Sequence, residues 1–367
     1  MIVTVLLYSF VVFTGIQILY YLVFSSFLFH TKKKNRKSTI LPISIIICAK
    51  NEAENLEKFL PTILDQKYTD FEVILINDAS SDKTAEVMKY FAKKYSKIKI
   101  ITVKNIEAFW GNKKYALTLG IKAAKNEHLL FTDADCSPVS KNWIYEMSQN
   151  FHKEKTIVLG YGKYKIEKSF INLLVRFETL LTAIQYFSFS KIGSPYMAVG
   201  RNLAYQKSEF FKVKGFINHI HIKSGDDDLF IQDAANKKNT TISLSKNSFT
   251  ESIAPKSFTE WFRQKRRHIS TANHYKLKHK FYLGMFYASK LLLYLLAILV
   301  CMFYPWKIIL SLILIYYAVQ YIVIGFSSKK LNEPRIIYFL PFLEIALLIF
   351  HFSIFITNLS SKPNHWK

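Results

Sequence analysis

Cysteine is scarce in this 367-residue sequence: Cys48, Cys136 and Cys301 are the only three, and no pair has metal-ligand spacing. That excludes a disulfide framework or a zinc module and fits a reducing compartment. Acidic residues are also few, 26 Asp and Glu against 50 Lys and Arg, for a formal net charge of +24. Such a surplus suits a polyanion, an anionic lipid surface or a phosphate-bearing ligand. No zinc-finger, basic-zipper or RNA-binding aromatic signature occurs, so nucleic acid is not an expected partner. What the chain has in quantity is apolar residues, 50% of the total, with long runs confined to its two ends.

Residues 2–29 form an almost unbroken apolar stretch, followed at once by Lys32, Lys33, Lys34, Arg36 and Lys37. A cleaved signal has a basic start, a shorter apolar core and a small-residue cleavage site. Here the charge follows the run, and the run exceeds the roughly 20 residues needed to span a bilayer. Residues 1–30 are therefore read as a transmembrane helix with its N-terminus outward. Three more spans are expected at residues 285–304, 308–326 and 336–356, in a C-terminal membrane region at 284–357 ahead of a tail at 358–367. Lys329, Lys330 and Arg335 mark the second loop of this region as cytoplasmic by the positive-inside rule. Counting back, residues 31–283 are cytoplasmic as well. Lys290 and Glu344 fall within the spans, where charge is costly. Lys290 is read as snorkelling to the interface, and Glu344 as lining a lipid or acceptor groove.

Between the ends, short apolar strands alternate with helix-like segments. Residues 41–48 are a β-branched run suited to a strand buried on both faces. Residues 51–65 have helical spacing at Leu56, Phe59, Leu60, Ile63 and Leu64. Strands at 72–76, 97–103 and 128–132, with a helix ending near Tyr95 and capped by Ser81 or Asp82, complete a βαβαβ series and a mainly parallel sheet. Ligands of such sheets sit beyond the carboxyl ends of the strands. Lys50-Asn51-Glu52, Asn77-Asp78 and Asp133-Ala134-Asp135 all fall there. Two carboxylates at alternating positions after a buried strand suit Mg2+ or Mn2+ beside a diphosphate, because these hard cations take carboxylate and phosphate oxygens.

Several ordered motifs between about Ile43 and Ser270 resemble glycosyltransferase family 2. The resemblance implies an α/β GT-A fold, a nucleotide-binding αβα sandwich, here with transmembrane helices at both ends. Residues 44–56 resemble the family's opening strand and Asn-Glu turn, which places Asn51 and Glu52 near the nucleobase. Asp78 matches the acid that contacts uracil or ribose. Residues 111–117 (GNKKYAL) resemble a G-x-K-x-x-A-L helix start, making Lys113 a donor contact. Asp133 and Asp135 match the D-x-D motif, with Asp135 and Asp133 as metal ligands. Gly200, Arg201 and Asn202 resemble the segment beside the acceptor. The donor so implied is a nucleotide sugar, by resemblance a UDP-sugar. The setting is cell envelope glycan synthesis at a bacterial inner (plasma) membrane.

Gly225-Asp226-Asp227-Asp228 is the most acidic cluster of this basic chain. Adjacent carboxylates repel and raise at least one pKa, which suits a general base acting on a hydroxyl. The cluster resembles the family's E-D motif. One frame makes Asp227 the base, the next Asp228, and the sequence leaves both open. Residues 264–268 (QKRRH) resemble the Q-x-x-R-W motif of processive synthases and the ceramide glucosyltransferase group, with His268 in place of Trp. Gln264 and Arg267 then face the donor diphosphate and His268 the acceptor, on an interfacial helix near 257–275. A second interfacial helix is expected near 170–189, where Arg176, Glu178 and Gln185 interrupt an apolar run. The expected reaction is inverting transfer of a sugar to a lipid or glycan acceptor. A processive polysaccharide synthase is the alternative. A nucleotide-binding scaffold without activity is a third reading, opposed by the presence of both acidic motifs.

Overall fold

The computed structural model describes residues 1–30, 40–104 and 113–361; the basic run at residues 32–37, Gly111 and Asn112 lie outside them. The strands are β1 (Ile43–Ala49), β2 (Phe71–Asp78), β3 (Ile98–Val103), β4 (His128–Phe131), β5 (Cys136–Pro138), β6 (Ile157–Leu159), β7 (Gly162–Tyr164), β8 (Leu203–Gln206), β9 (Thr240–Ile242) and β10 (Thr250–Ser252). Seven of them form one sheet in the order β3-β2-β1-β4-β8-β6-β9, and β5-β10-β7 form a second. The first four strands are parallel, while β8 runs antiparallel to both β4 and β6. The sheet is thus mainly parallel as expected, with β8 alone reversed, where the chain crosses the middle of the sheet again from the acceptor-side segment.

Alternation along β1 explains the layering. Ile43, Ile45 and Ile47 point to one apolar core with Leu56, Leu60 and Met88, whereas Ile46 points to the other with Ile76, Leu117 and Ile121. Helices α2 (Ala53–Leu64) and α3 (Thr84–Lys94) cover the first face, and α4 (Lys113–Ala123) the second. Short helices α5 (Trp143–Ser148), α7 (Lys207–Lys212) and α8 (Asp228–Ala234) fill the edges. This is a GT-A-type αβα sandwich. Asp82 receives the Thr84 and Ala53 amides at 3.0 and 3.3 Å, so one carboxylate ties the starts of α2 and α3 together.

Four segments are long and apolar enough to cross a membrane: Ile2–Phe29, Leu277–Cys301, Trp306–Lys330 and Ile336–Ser360. Three of the helices they contain pack as a bundle: α1 (Ile2–Phe24), α10 (Leu277–Cys301) and α11 (Trp306–Lys330). Lys330 donates to the Leu28 carbonyl at 2.6 Å, so the loops after α1 and α11 share one end of the bundle. The sandwich docks at that end. Its α6 (Phe170–Lys191) lies across it, with Ser188 donating to the Phe24 carbonyl at 2.7 Å.

Helix α6 is buried along most of its length and so has no open polar face. Its polar residues are paired inside the protein: Arg176 with Glu333 at 2.6 Å, and Glu178 with Lys265 at 2.6 Å. The two membrane charges also correct expectation. Lys290 does not snorkel, and Glu344 lines no groove; they pair with each other at 2.6 Å, both buried. Glu344 further accepts hydrogen bonds from Tyr294, Tyr316 and Tyr21. The remaining long helices, α9 (Phe258–Thr271) and α12 (Leu340–Ser360), lie side by side, with Trp261 stacked on Phe350 at 3.7 Å.

Candidate active site

The carboxyl ends of β1, β2 and β4 open on one side of the sheet, and α8 and α9 approach from the opposite bank. Gly225, just before α8, has φ +79°, and a Cβ there would meet Thr271 of α9 at 2.5 Å. Only glycine allows this turn, which swings Asp226 and Asp227 toward the strand ends. The resulting cleft is lined by Cys48, Lys113, Asp133, Gly200, Asp226 and Asp227, over a floor of Ile46 and Phe131.

Lys113 bridges the two acidic motifs. Its ammonium lies 2.9 Å from Asp133 and 3.3 Å from Asp226. Burial opposes the charge of Asp133, but Lys113 outweighs it and holds this carboxyl below its usual range. Asp135 behaves oppositely, raised by burial and by the neighbouring charge of Asp133. Asp133, Asp135 and Cys136 bring one ligand atom each within 4.8 Å of one another, the one such group among the described residues. Two carboxylates at that separation, one carrying excess repulsion, fit a hard divalent cation; the Cys136 thiol is too soft for it and hydrogen-bonds Asp135 at 3.3 Å.

Asp227 accepts the Gly200 amide at 2.7 Å and the Asp228 amide at 2.8 Å. Burial and the adjacent Asp226 charge push its pKa up to about 6. Asp228 lies behind it, bonded by the Tyr275 hydroxyl at 2.6 Å and raised well above the carboxylate range by burial and by Asp227. The open choice between frames meets a geometric difference here: Asp227 lines the cleft and Asp228 does not.

The other expected residues divide. Asp78 is buried beside the cleft, its pKa raised by burial. Asn51 and Glu52 sit farther out, where the Asn51 side chain accepts the Ser81 amide at 2.9 Å and the Glu52 amide donates to Thr84 at 2.9 Å. They brace the strand-end loops instead of lining the cleft. Arg267 on α9 feels the charges of Asp226 and Asp133, and Arg201 those of Asp135 and Asp133, so both cations face the acidic centre. Gln264 and His268 share α9. The His268 side chain is open to solvent, yet burial by the surrounding protein and the nearby cations Lys265, Arg267, Arg201 and Lys113 lower its pKa, so it faces the same centre. Asn202 is a correction. It is fully buried, donates to the Tyr161 and Ser248 carbonyls at 2.9 and 2.7 Å, and accepts Trp143 at 3.0 Å. It locks the fold beneath Gly200 and does not reach an acceptor. Sequence reasoning missed Tyr275, whose bond to Asp228 spans 47 positions and leaves no local pattern.

Residues 44–217 match the model for glycosyl transferase family 2, so the chain carries a domain of that family. A curated relative, the 4,4'-diaponeurosporenoate glycosyltransferase of Staphylococcus haemolyticus, is 27% identical over 202 residues, 53% of this chain and 52% of that protein. The poly-beta-1,6-N-acetyl-D-glucosamine synthase of Staphylococcus epidermidis is 30% identical over 157 residues, 40% of this chain and 37% of its own length. The match thus spans about half or less of these relatives. A mannosyltransferase from Pyrobaculum calidifontis, solved with GDP-Man and Mn2+, superposes with a TM-score of 0.62 at 15% identity, over 91% of this chain and 100% of that one. At that identity the likeness establishes the fold.

Proposed function

We propose that this chain is an inverting glycosyltransferase that moves a sugar from a nucleotide-sugar donor to a lipid or lipid-linked acceptor at the cytoplasmic face of a membrane. The observation that carries the reading is the single cleft in which Lys113, Asp133, Asp226 and Asp227 converge at the strand ends. Asp227 acts as general base. Its raised pKa gives it a proton affinity suited to drawing the proton from an acceptor hydroxyl near neutral pH, while the Gly200 amide fixes the carboxylate in place. The hydroxyl then attacks the anomeric carbon from the face opposite the leaving diphosphate. Lys113, with Arg267 and Arg201, stabilises the charge that gathers on that leaving group. Asp135 and Asp133 would hold a divalent cation, Mg2+ or Mn2+, which supplies further neutralisation of the diphosphate when bound.

The lipid acceptor is supported by the relative named for 4,4'-diaponeurosporenoate, a lipid carboxylate. It is also supported by the docking of the sandwich on one end of the apolar bundle. The processive reading is favoured by the likeness to the poly-beta-1,6-N-acetyl-D-glucosamine synthase. The test is nucleotide release from a panel of UDP- and GDP-sugars by membranes containing the full chain. Release from one donor, abolished by EDTA and restored by Mn2+ or Mg2+, is expected. Full turnover in excess EDTA would remove the metal from the scheme, and no release from any donor would remove the enzyme.

A further inference from the structure

Helix α12 is as apolar as the other three long helices, but its contacts do not have the geometry of a crossing. A 21-residue helix is about 30 Å long, so a span places its two ends on opposite sides of the hydrocarbon core. Both ends of α12 touch the catalytic sandwich instead. Near its start, Phe342 lies 5.6 Å from Phe170 of α6. In its middle, Phe350 stacks on Trp261 of α9. At its end, Asn358 accepts the Arg266 guanidinium at 2.8 Å, and the same arginine reaches the Ser361 carbonyl at 2.6 Å. Phe170 is itself 6.3 Å from Phe258, so all these partners belong to one wall of the sandwich.

The contacts with α10 agree. That helix leaves the sandwich at Leu277 and ends far from it at Cys301. Glu344 meets Lys290 and Tyr294, whereas His351, farther along α12, meets Tyr287, closer to the sandwich. The helix dips to the level of Lys290 and then returns.

We infer that α12 does not cross the membrane but lies along its catalytic-side surface, with its outer face in the lipid and its last turn held on α9. The partner for that outer face is the bilayer. Ile345, Ile349, Phe352, Phe355 and Leu359 project from it, 44% to 71% exposed, at helical spacing along one stripe. Leu343, Glu344, Leu347 and Ile354 on the opposite stripe are buried against the protein. An in-plane helix normally carries a polar face for water and headgroups. Here that face meets α6, α9 and Lys290 instead, which is why its composition imitates a span. The chain then crosses three times, and the end of α12 lies on the same side as the catalytic cleft.

The inference rests on the membrane reading proposed above but not on the activity, and its test uses sidedness alone. Cys301 stands at the far end of α10 as a native marker of the opposite side. Single-cysteine chains are made in which Cys48 and Cys136 are Ser throughout, and in which Cys301 is kept, or is replaced by Ser beside Ser360→Cys or Lys223→Cys. The full-length protein, in sealed right-side-out and inverted vesicles, is treated with a membrane-impermeant maleimide. Ser360→Cys labelled from the side that labels Lys223→Cys, and opposite to Cys301, supports the inference. Labelling from the Cys301 side, or from neither side until detergent is added, overturns it. If instead Lys223→Cys and Cys301 are labelled from one side, the bundle does not cross, and the membrane reading fails along with this inference.

Discussion

Asp227 and Asp228 are adjacent carboxylates, both buried and both shifted upward, yet they differ in what surrounds them. Asp227 meets two backbone amides and an open cleft; Asp228 meets the Tyr275 hydroxyl and the interior. A base must be ionised to work, so a carboxyl with a pKa of about 6 predicts turnover that falls as pH drops through that value. Asp227→Asn is expected to lower turnover by about a thousandfold, within the range typical of a lost general base, with nucleotide binding retained. A kcat–pH profile and calorimetry with UDP or GDP check both parts. Equal loss of binding and turnover would make the cluster structural. Asn202 predicts the reverse pattern. Its three buried hydrogen bonds are worth about 1 kcal/mol each, so Asn202→Ala should lower the melting temperature and leave the acceptor KM of the folded fraction unchanged. The acidic residues that converge at the strand ends were legible in the sequence because each sits in a short motif after a strand or a glycine. Asn202 was misread because its partners, Tyr161, Ser248 and Trp143, are 41 to 59 positions away.

Among the elements, those with a strong period were legible. The β-branched run at residues 41–48 became β1, and the spacing from Leu56 to Leu64 became α2, because one face or both must be apolar to fill this sandwich. Helix α6 was placed correctly along the chain but not in depth. Arg176 and Glu178 looked like a solvent face because the sequence hides their partners Glu333 and Lys265. The same omission hid the pairing of Lys290 with Glu344. Removing one member of a buried ion pair leaves an uncompensated charge and typically costs 3–5 kcal/mol, whereas replacing both is far milder. Lys290→Met and Glu344→Gln are each expected to destabilise the solubilised protein strongly, and the double variant by much less than their sum. Thermal melts of the four proteins in one detergent read that cycle. Additive losses would show that the pair is not coupled.

At the scale of the whole molecule, the question is whether one chain can pass a growing product through the bilayer. The centre of the α1–α10–α11 bundle is filled where α12 leans on it. Tyr21, Lys290, Tyr316, Gln320 and Glu344 are all buried and tied together there by hydrogen bonds. Lower down, Gln17 donates to Ser289 and the Phe286 carbonyl across the same seam. Among the described residues, then, these polar side chains are buried and bonded to one another across the seam, which does not resemble the lining of a water-filled passage of the kind a translocated glycan requires. That packing favours the proposed single addition to an acceptor over extension of a polymer. With a labelled nucleotide sugar and membranes as the acceptor source, one lipid-extractable product carrying one added sugar is expected. A ladder of lengths would mean that the chain extends polymers, and that the path for them is built between copies or with another protein.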